Sequence, residues 1–130
     1  MKVTLFLVLI LASFSIYADP PVIINAKAQL KTNQLFDIAV TIRHPDTGWD
    51  HYVKEWVIIA DGDKQLAKRT LYHPHVDEQP FTRYSRDVLI PKDVTRVTIH
   101  ARCNNGDESN AYILLSRKGT QVKQQETEQQ

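Results

Sequence analysis

Phe36, Ile38, Val40 and Ile42 alternate with Asp37, Ala39, Thr41 and Arg43, the period of two that arises when one face of a β-strand is buried. Val97, Ile99, Ala101 and Cys103 alternate in the same way with Arg96, Thr98, His100 and Arg102. Strand-sized runs also span Val22 to Leu30, Tyr52 to Ala60, Lys64 to Leu71, Phe81 to Ile90 and Asn110 to Arg117. Asp61-Gly62 between two of these runs predicts a tight hairpin, and Pro91 closes another because it cannot donate to a ladder. No segment holds a 3.6-residue period over three turns. About seven short strands in roughly 100 residues predict an all-β, immunoglobulin-like antiparallel sandwich of two sheets. The cysteine pair of antibody-type domains is absent, and Trp56, with Ile58 on the same face, is the candidate core aromatic.

The start of the chain has a different pattern. Met1-Lys2 precedes an apolar run from Val3 to Tyr17, then Ala18-Asp19-Pro20. A basic head, an apolar core and a small residue before a polar one predict a cleavable signal peptide over residues 1–18, hence a periplasmic or secreted protein. The run is short for a membrane span, so no membrane insertion is expected after cleavage. Residues 19–117 form the expected domain; residues 118–130, polar and without aromatics, read as a disordered tail.

Without its first 18 residues the chain balances fifteen Lys and Arg against fifteen Asp and Glu. A neutral chain with no basic block excludes nucleic acid as a partner. The four glycines form no phosphate-binding loop, and Ser85, Ser109 and Ser116 lie in no nucleophile elbow, so hydrolysis is disfavoured. A lone cysteine, Cys103, has no internal disulfide partner in an oxidising compartment and is therefore buried, metal-bound or paired with another molecule.

Four of the five histidines fall in two loops, His44 to Tyr52 and His73 to Arg83. Imidazole and thiolate are the ligands of first-row transition metals, which makes His44, His51 and Cys103 a candidate set, with His73 and His75 as additional ligands. Alternation assigns Cys103 to the inward set of its strand and His100 to the outward one. Core packing for Cys103 and loop hydrogen bonding for the histidines remain the alternative. Phe81 and Arg83, beside Glu78 and Gln79-Pro80, read either as a structural crossover or as the docking edge for a protein partner.

His44-Pro45, then His51-Tyr52 and Trp56-Val57, resembles the His-Pro-Met … His-Tyr-Ile-x-Trp-Ile segment of desulfoferrodoxins, the superoxide reductases. Ala101-Arg102-Cys103-Asn104 is similar to that family's Cys-Asn-x-His segment. The resemblance implies an immunoglobulin-like sandwich and an iron held by four histidines and an axial cysteinate that reduces superoxide. His44, His51 and Cys103 carry over. Asp46 stands where the family has Met, Gly106 where it has the histidine after the cysteine, and no histidine lies between residue 18 and His44. Iron is thus the cofactor the resemblance implies, with copper or zinc as alternatives on affinity or no metal at all. His44-Pro45-Asp46-Thr47-Gly48, Gln79-Pro80-Phe81 and Asn104-Asn105-Gly106 also resemble SoxZ, which implies instead a non-catalytic periplasmic module that binds a partner protein carrying sulfur.

Overall fold

The computed structural model describes residues 18–117 of the 130-residue chain. The signal expected over residues 1–18, Ala18 apart, and the tail expected over 118–130 lie outside the described residues.

The alternating segments form seven strands: β1 (Val22–Thr32), β2 (Leu35–Arg43), β3 (Val53–Ala60), β4 (Lys64–Thr70), β5 (Phe81–Leu89), β6 (Arg96–Cys103) and β7 (Glu108–Leu114). They pair antiparallel into two sheets, ordered β1-β2-β5 and β4-β3-β6-β7. β1 lies beside β7 and β4 beside β5, so the two sheets meet along both sides as a sandwich. The expected all-β architecture is the one observed.

Burial follows the period of two on the central strands. Phe36, Ile38, Val40 and Ile42 of β2 are wholly buried, and so are Ile99, Ala101 and Cys103 of β6. Each large aliphatic side chain withdrawn in this way contributes about 1.5–3 kcal/mol. Trp56 is the largest buried side chain, and its indole N–H donates to Ser85 Oγ at 3.0 Å, tying β3 of one sheet to β5 of the other. The expected hairpin joins β3 to β4, but its turn spans three residues, 61–63, between the paired Ala60 and Lys64, with Gly62 at φ 77° and Asp63 at φ 61° in the left-handed region rather than Asp61 and Gly62.

β7 begins two residues earlier than the alternation predicts and stops at Leu114 rather than Arg117. Its register with β6, from Arg102↔Glu108 to Arg96↔Leu114, sets both limits. Arg117 has left the ladder, and its guanidinium caps the carbonyl oxygens of Ile90, Pro91 and Val94.

One end of the sandwich collects the starts of β1, β3, β5 and β7 and the ends of β2, β4 and β6. The crossover from β2 to β3, the β4–β5 loop, the β6–β7 turn and Ala18–Pro21 therefore meet there. Both histidine-rich loops belong to this end.

Replacing Trp56 by Phe removes the inter-sheet hydrogen bond, leaves Ser85 Oγ unpaired and opens a void. The expected loss is about 2–4 kcal/mol, read as a lower urea midpoint at unchanged m.

Candidate metal centre

The β2–β3 crossover begins with His44-Pro45-Asp46 directly after the last residue of β2. Asp46 is buried, and each of its oxygens is engaged. Oδ1 lies 2.6 Å from His44 Nδ1 and accepts from the backbone N–H of Val53 at 3.2 Å; Oδ2 accepts from the backbone N–H of His75 at 2.8 Å. One carboxylate thus fixes an imidazole, the start of β3 and the β4–β5 loop. A carboxylate only accepts, so Nδ1 of His44 carries its hydrogen toward Asp46 and Nε2 is aimed away from it.

His44 Nε2 points at two atoms. Cys103 Sγ lies 3.5 Å away and the carbonyl oxygen of Asp19 2.8 Å away. A carbonyl oxygen only accepts, so the 2.8 Å contact requires a hydrogen, or another cation, at Nε2.

His51 sits at the far end of the same loop, packed edge-on against His44 with ring centroids 4.6 Å apart. The backbone closes the loop behind it, since Thr47 N–H donates to His51 C=O at 3.0 Å. Asn104, next to the cysteine, staples this loop down. Its Oδ1 accepts from Tyr52 N–H at 2.9 Å, and its amide donates to the carbonyls of Trp49 at 3.0 Å and Asp50 at 2.9 Å. The Cys-Asn pair therefore divides the work: Cys103 supplies a donor atom and Asn104 positions the loop that carries His51.

The donor atoms of His44, His51 and Cys103 all lie within 4.8 Å of one another, the one such group of three among the described residues. Donors around a tetrahedral ion with 2.0–2.3 Å bonds stand about 3.3–3.8 Å apart. The His44–Cys103 separation of 3.5 Å already matches, and the widest pair needs about 1 Å of closure. His51 Nε2 is buried without a hydrogen-bond partner; Asp107 Oδ2 is 3.5 Å away, outside hydrogen-bond geometry. An orphaned imidazole nitrogen, a thiol and a carboxylate-oriented imidazole fit a divalent transition metal.

Three carboxylates surround this donor set. Burial first, then the charges of Asp107, Asp46 and Asp19, push the Cys103 thiol up to about 12. Asp107 itself is held below the usual carboxylate range, chiefly by the N–H of Asp19 and the side-chain amide of Asn105. A cleft of about 500 Å³ opens beside the cluster between Asp19-Pro20 and Val76, with His44 and Asp46 in its wall.

The remaining candidates lie elsewhere on the same end. His73 and His75 are neighbours, with ring centroids 4.7 Å apart, but neither belongs to the converging group. His75 is buried flat against Phe81 at 4.0 Å, with both ring nitrogens unpartnered, and desolvation with the nearby Arg83 charge lowers its pKa. Phe81 is itself buried in the core, where no partner reaches it. Arg83 makes a two-pronged pair with Glu78 at 3.1 and 3.0 Å. Gln79 bridges His44 N–H and His75 C=O at 3.0 and 2.8 Å. His100 faces outward toward Glu108, as alternation predicts.

Sequence reasoning missed Asp46, Asp19 and Asp107. Asp46 entered only as a replacement for Met, although His-x-Asp at the end of a buried strand is itself a signal for an oriented imidazole. Asp19 and Asp107 owe their places to long-range packing, which no local spacing encodes.

No family model matches the chain. A protein of Halomicrobium mukohataei named "Putative lipoprotein" is 27% identical over 90 residues, which covers 69% of this chain and 42% of that protein. The chain thus spans under half the length of that relative. Among solved structures, a superoxide reductase in the oxidized state shares 13% identity over 75% of this chain and 88% of that one, at a TM-score of 0.48. The superoxide reductase (1Fe-SOR) from Giardia intestinalis shares 18% over 69% and 95%, at a TM-score of 0.46.

Two outcomes follow from the site's electrostatics. In the metal-free protein Cys103 holds roughly a thousandfold less thiolate at pH 8 than an unperturbed thiol, so alkylation is very slow until urea unfolds the chain. His75 binds its proton less readily when folded than unfolded. Stability is full above the unfolded value near 6.5 and is lost as pH falls below it; urea titrations of His75→Phe show a shallower loss between pH 7 and 5.

Proposed function

We propose that this domain is an exported desulfoferrodoxin-like metal protein that holds one iron ion between His44, His51 and Cys103 and reduces superoxide. The observation that carries the reading is the convergence of these three donors, with Asp46 directing His44 Nε2 toward Cys103 Sγ. The match of His44-Pro45, His51-Tyr52 and Cys103-Asn104 to the family segments supports iron and superoxide in particular.

Bound iron supplies a one-electron couple, so that superoxide takes up one electron and two protons and leaves as hydrogen peroxide, with an external protein or small-molecule donor restoring the electron. The chain's residues prepare for this. Asp46 holds Nδ1 and aims Nε2 toward Cys103 Sγ, an outer contact of the kind whose loss costs 10–100-fold in metal affinity. Buried Cys103 is shielded from oxidants and from solvent, so its sulfur is reserved for the ion. His51, its side chain 21% exposed, lies on the solvent side and marks the face from which a small anion approaches.

The high thiol pKa makes metal loading a proton exchange: the ion enters as Cys103 gives up its hydrogen. Affinity therefore rises about tenfold per pH unit through the neutral range.

Purified protein is expected to take up one Fe²⁺ per chain, and Cys103→Ser to lose the thiolate-to-metal absorption band and at least tenfold in affinity. Iron-loaded protein with a reductant should consume superoxide without evolving oxygen from it. Uptake below ~0.1 equivalent of iron, copper or zinc by folded protein removes the metal reading; stoichiometric metal with no superoxide consumption removes the activity alone.

A further inference from the structure

Two main-chain atoms of Asp19 lie against the cluster. The carbonyl oxygen stands 2.8 Å from His44 Nε2, and the nitrogen donates to Asp107 Oδ2 at 2.9 Å. That carboxylate oxygen is in turn 3.5 Å from His51 Nε2. The segment is anchored a little further on, where the Ser109 hydroxyl donates to the carbonyl of Pro21.

Pro20 shapes what Asp19 can do. The residue before a proline is steered into extended backbone with ψ of about +120 to +160°. In that range its own nitrogen and carbonyl oxygen lie on one side of the Cα–C bond, ready to grip one ion as a five-membered chelate ring. A peptide nitrogen is a poor donor because amide resonance occupies its lone pair. A terminal amine has that lone pair, and cleavage after Ala18 turns the Asp19 nitrogen into one.

We infer that, once cleavage after Ala18 has freed it, the amino terminus of Asp19 together with its carbonyl oxygen completes the metal site of His44, His51 and Cys103. The inference rests on the proposed metal site and on that cleavage position. Ligands at right angles with 2.0–2.1 Å bonds stand about 2.9 Å apart, close to the 2.8 Å between Asp19 O and His44 Nε2. The ion then replaces the hydrogen that the carbonyl and imidazole otherwise need between them. Asp107 accepts from the amine, as carboxylates do from metal-bound nitrogen ligands. Amine, imidazoles, thiolate and carbonyl together make an N/S/O set suited to Zn²⁺, Cu²⁺ or Fe²⁺. Before export the precursor offers an amide at this position, so full affinity arises only in the processed chain.

The test compares a chain that starts at Asp19 with one carrying Ala18 ahead of it, each titrated with Zn²⁺ against a chelating dye. The extended chain keeps the peptide N–H to Asp107 that the structure contains, so matched melting of the metal-free forms checks its fold. The chain starting at Asp19 is expected to bind Zn²⁺ at least tenfold tighter, and Asp19→Ala on that chain to retain the gain because the donors are main-chain atoms. Equal affinity of the two chains overturns this inference and leaves the His44, His51 and Cys103 site standing. No Zn²⁺, Cu²⁺ or Fe²⁺ bound by either chain overturns that site itself. An exported protein whose first residue is other than Asp19 also overturns the inference.

Discussion

The buried carboxylate of Asp46 is the constraint on which this end of the molecule depends. An ionised carboxylate withdrawn from water is tolerated only when its lone pairs are satisfied, and here three groups from three separate segments satisfy them. The His44 ring, the first residue of β3 and the backbone of His75 are each held by the one carboxylate they share. Moving any one of them leaves a buried charge short of a partner, which is far more unfavourable than the loss of a surface contact. The crossover between the sheets is therefore rigid where it passes the cysteine. A rigid imidazole aimed at a thiol is what a metal requires of a protein, because the ligands must be in place before the ion arrives.

The same acids set the chemistry of the sulfur. Asp107, Asp46 and Asp19 lie close enough that each disfavours a thiolate, and burial disfavours it further. With no cation present the cysteine is a buried, unreactive thiol. A divalent ion reverses every one of these terms at once. The carboxylates that repel a thiolate attract the ion, and the ion holds the thiolate. An arrangement that looks hostile to cysteine chemistry is thus well suited to metal chemistry.

The fold was legible because it rests on alternation. Phe36 to Ile42 and Val97 to Cys103 announce strands with one buried face, and Asp61-Gly62 announces a hairpin; these are local signals, and tertiary structure does not override them. The grouping of His44, His51 and Cys103, whose side chains converge, was legible for a different reason, namely the residue types and order that His44-Pro45, His51-Tyr52 and Cys103-Asn104 share with a known arrangement. What could not be read is what arrives from a distance. Asp19 is 25 positions from His44 and 88 from Asp107, and only the closing of the sandwich brings them together. Phe81 had two readings, a structural crossover and a docking edge, and its side chain, at the first position of β5, points into the core as the first requires.

A square of imidazoles with an axial sulfur needs histidines on both sides of the ion, whereas His44 and His51 approach from one loop. The side left without histidines is closed by Ala18–Pro21, whose carbonyl and nitrogen already point at His44 and Asp107. Main-chain donors are less selective than imidazoles but harder to lose by mutation, since no side-chain substitution removes them. Their weakness is dependence on where the chain is cut. A site built as inferred above would tie its affinity to the processing of its own N-terminus.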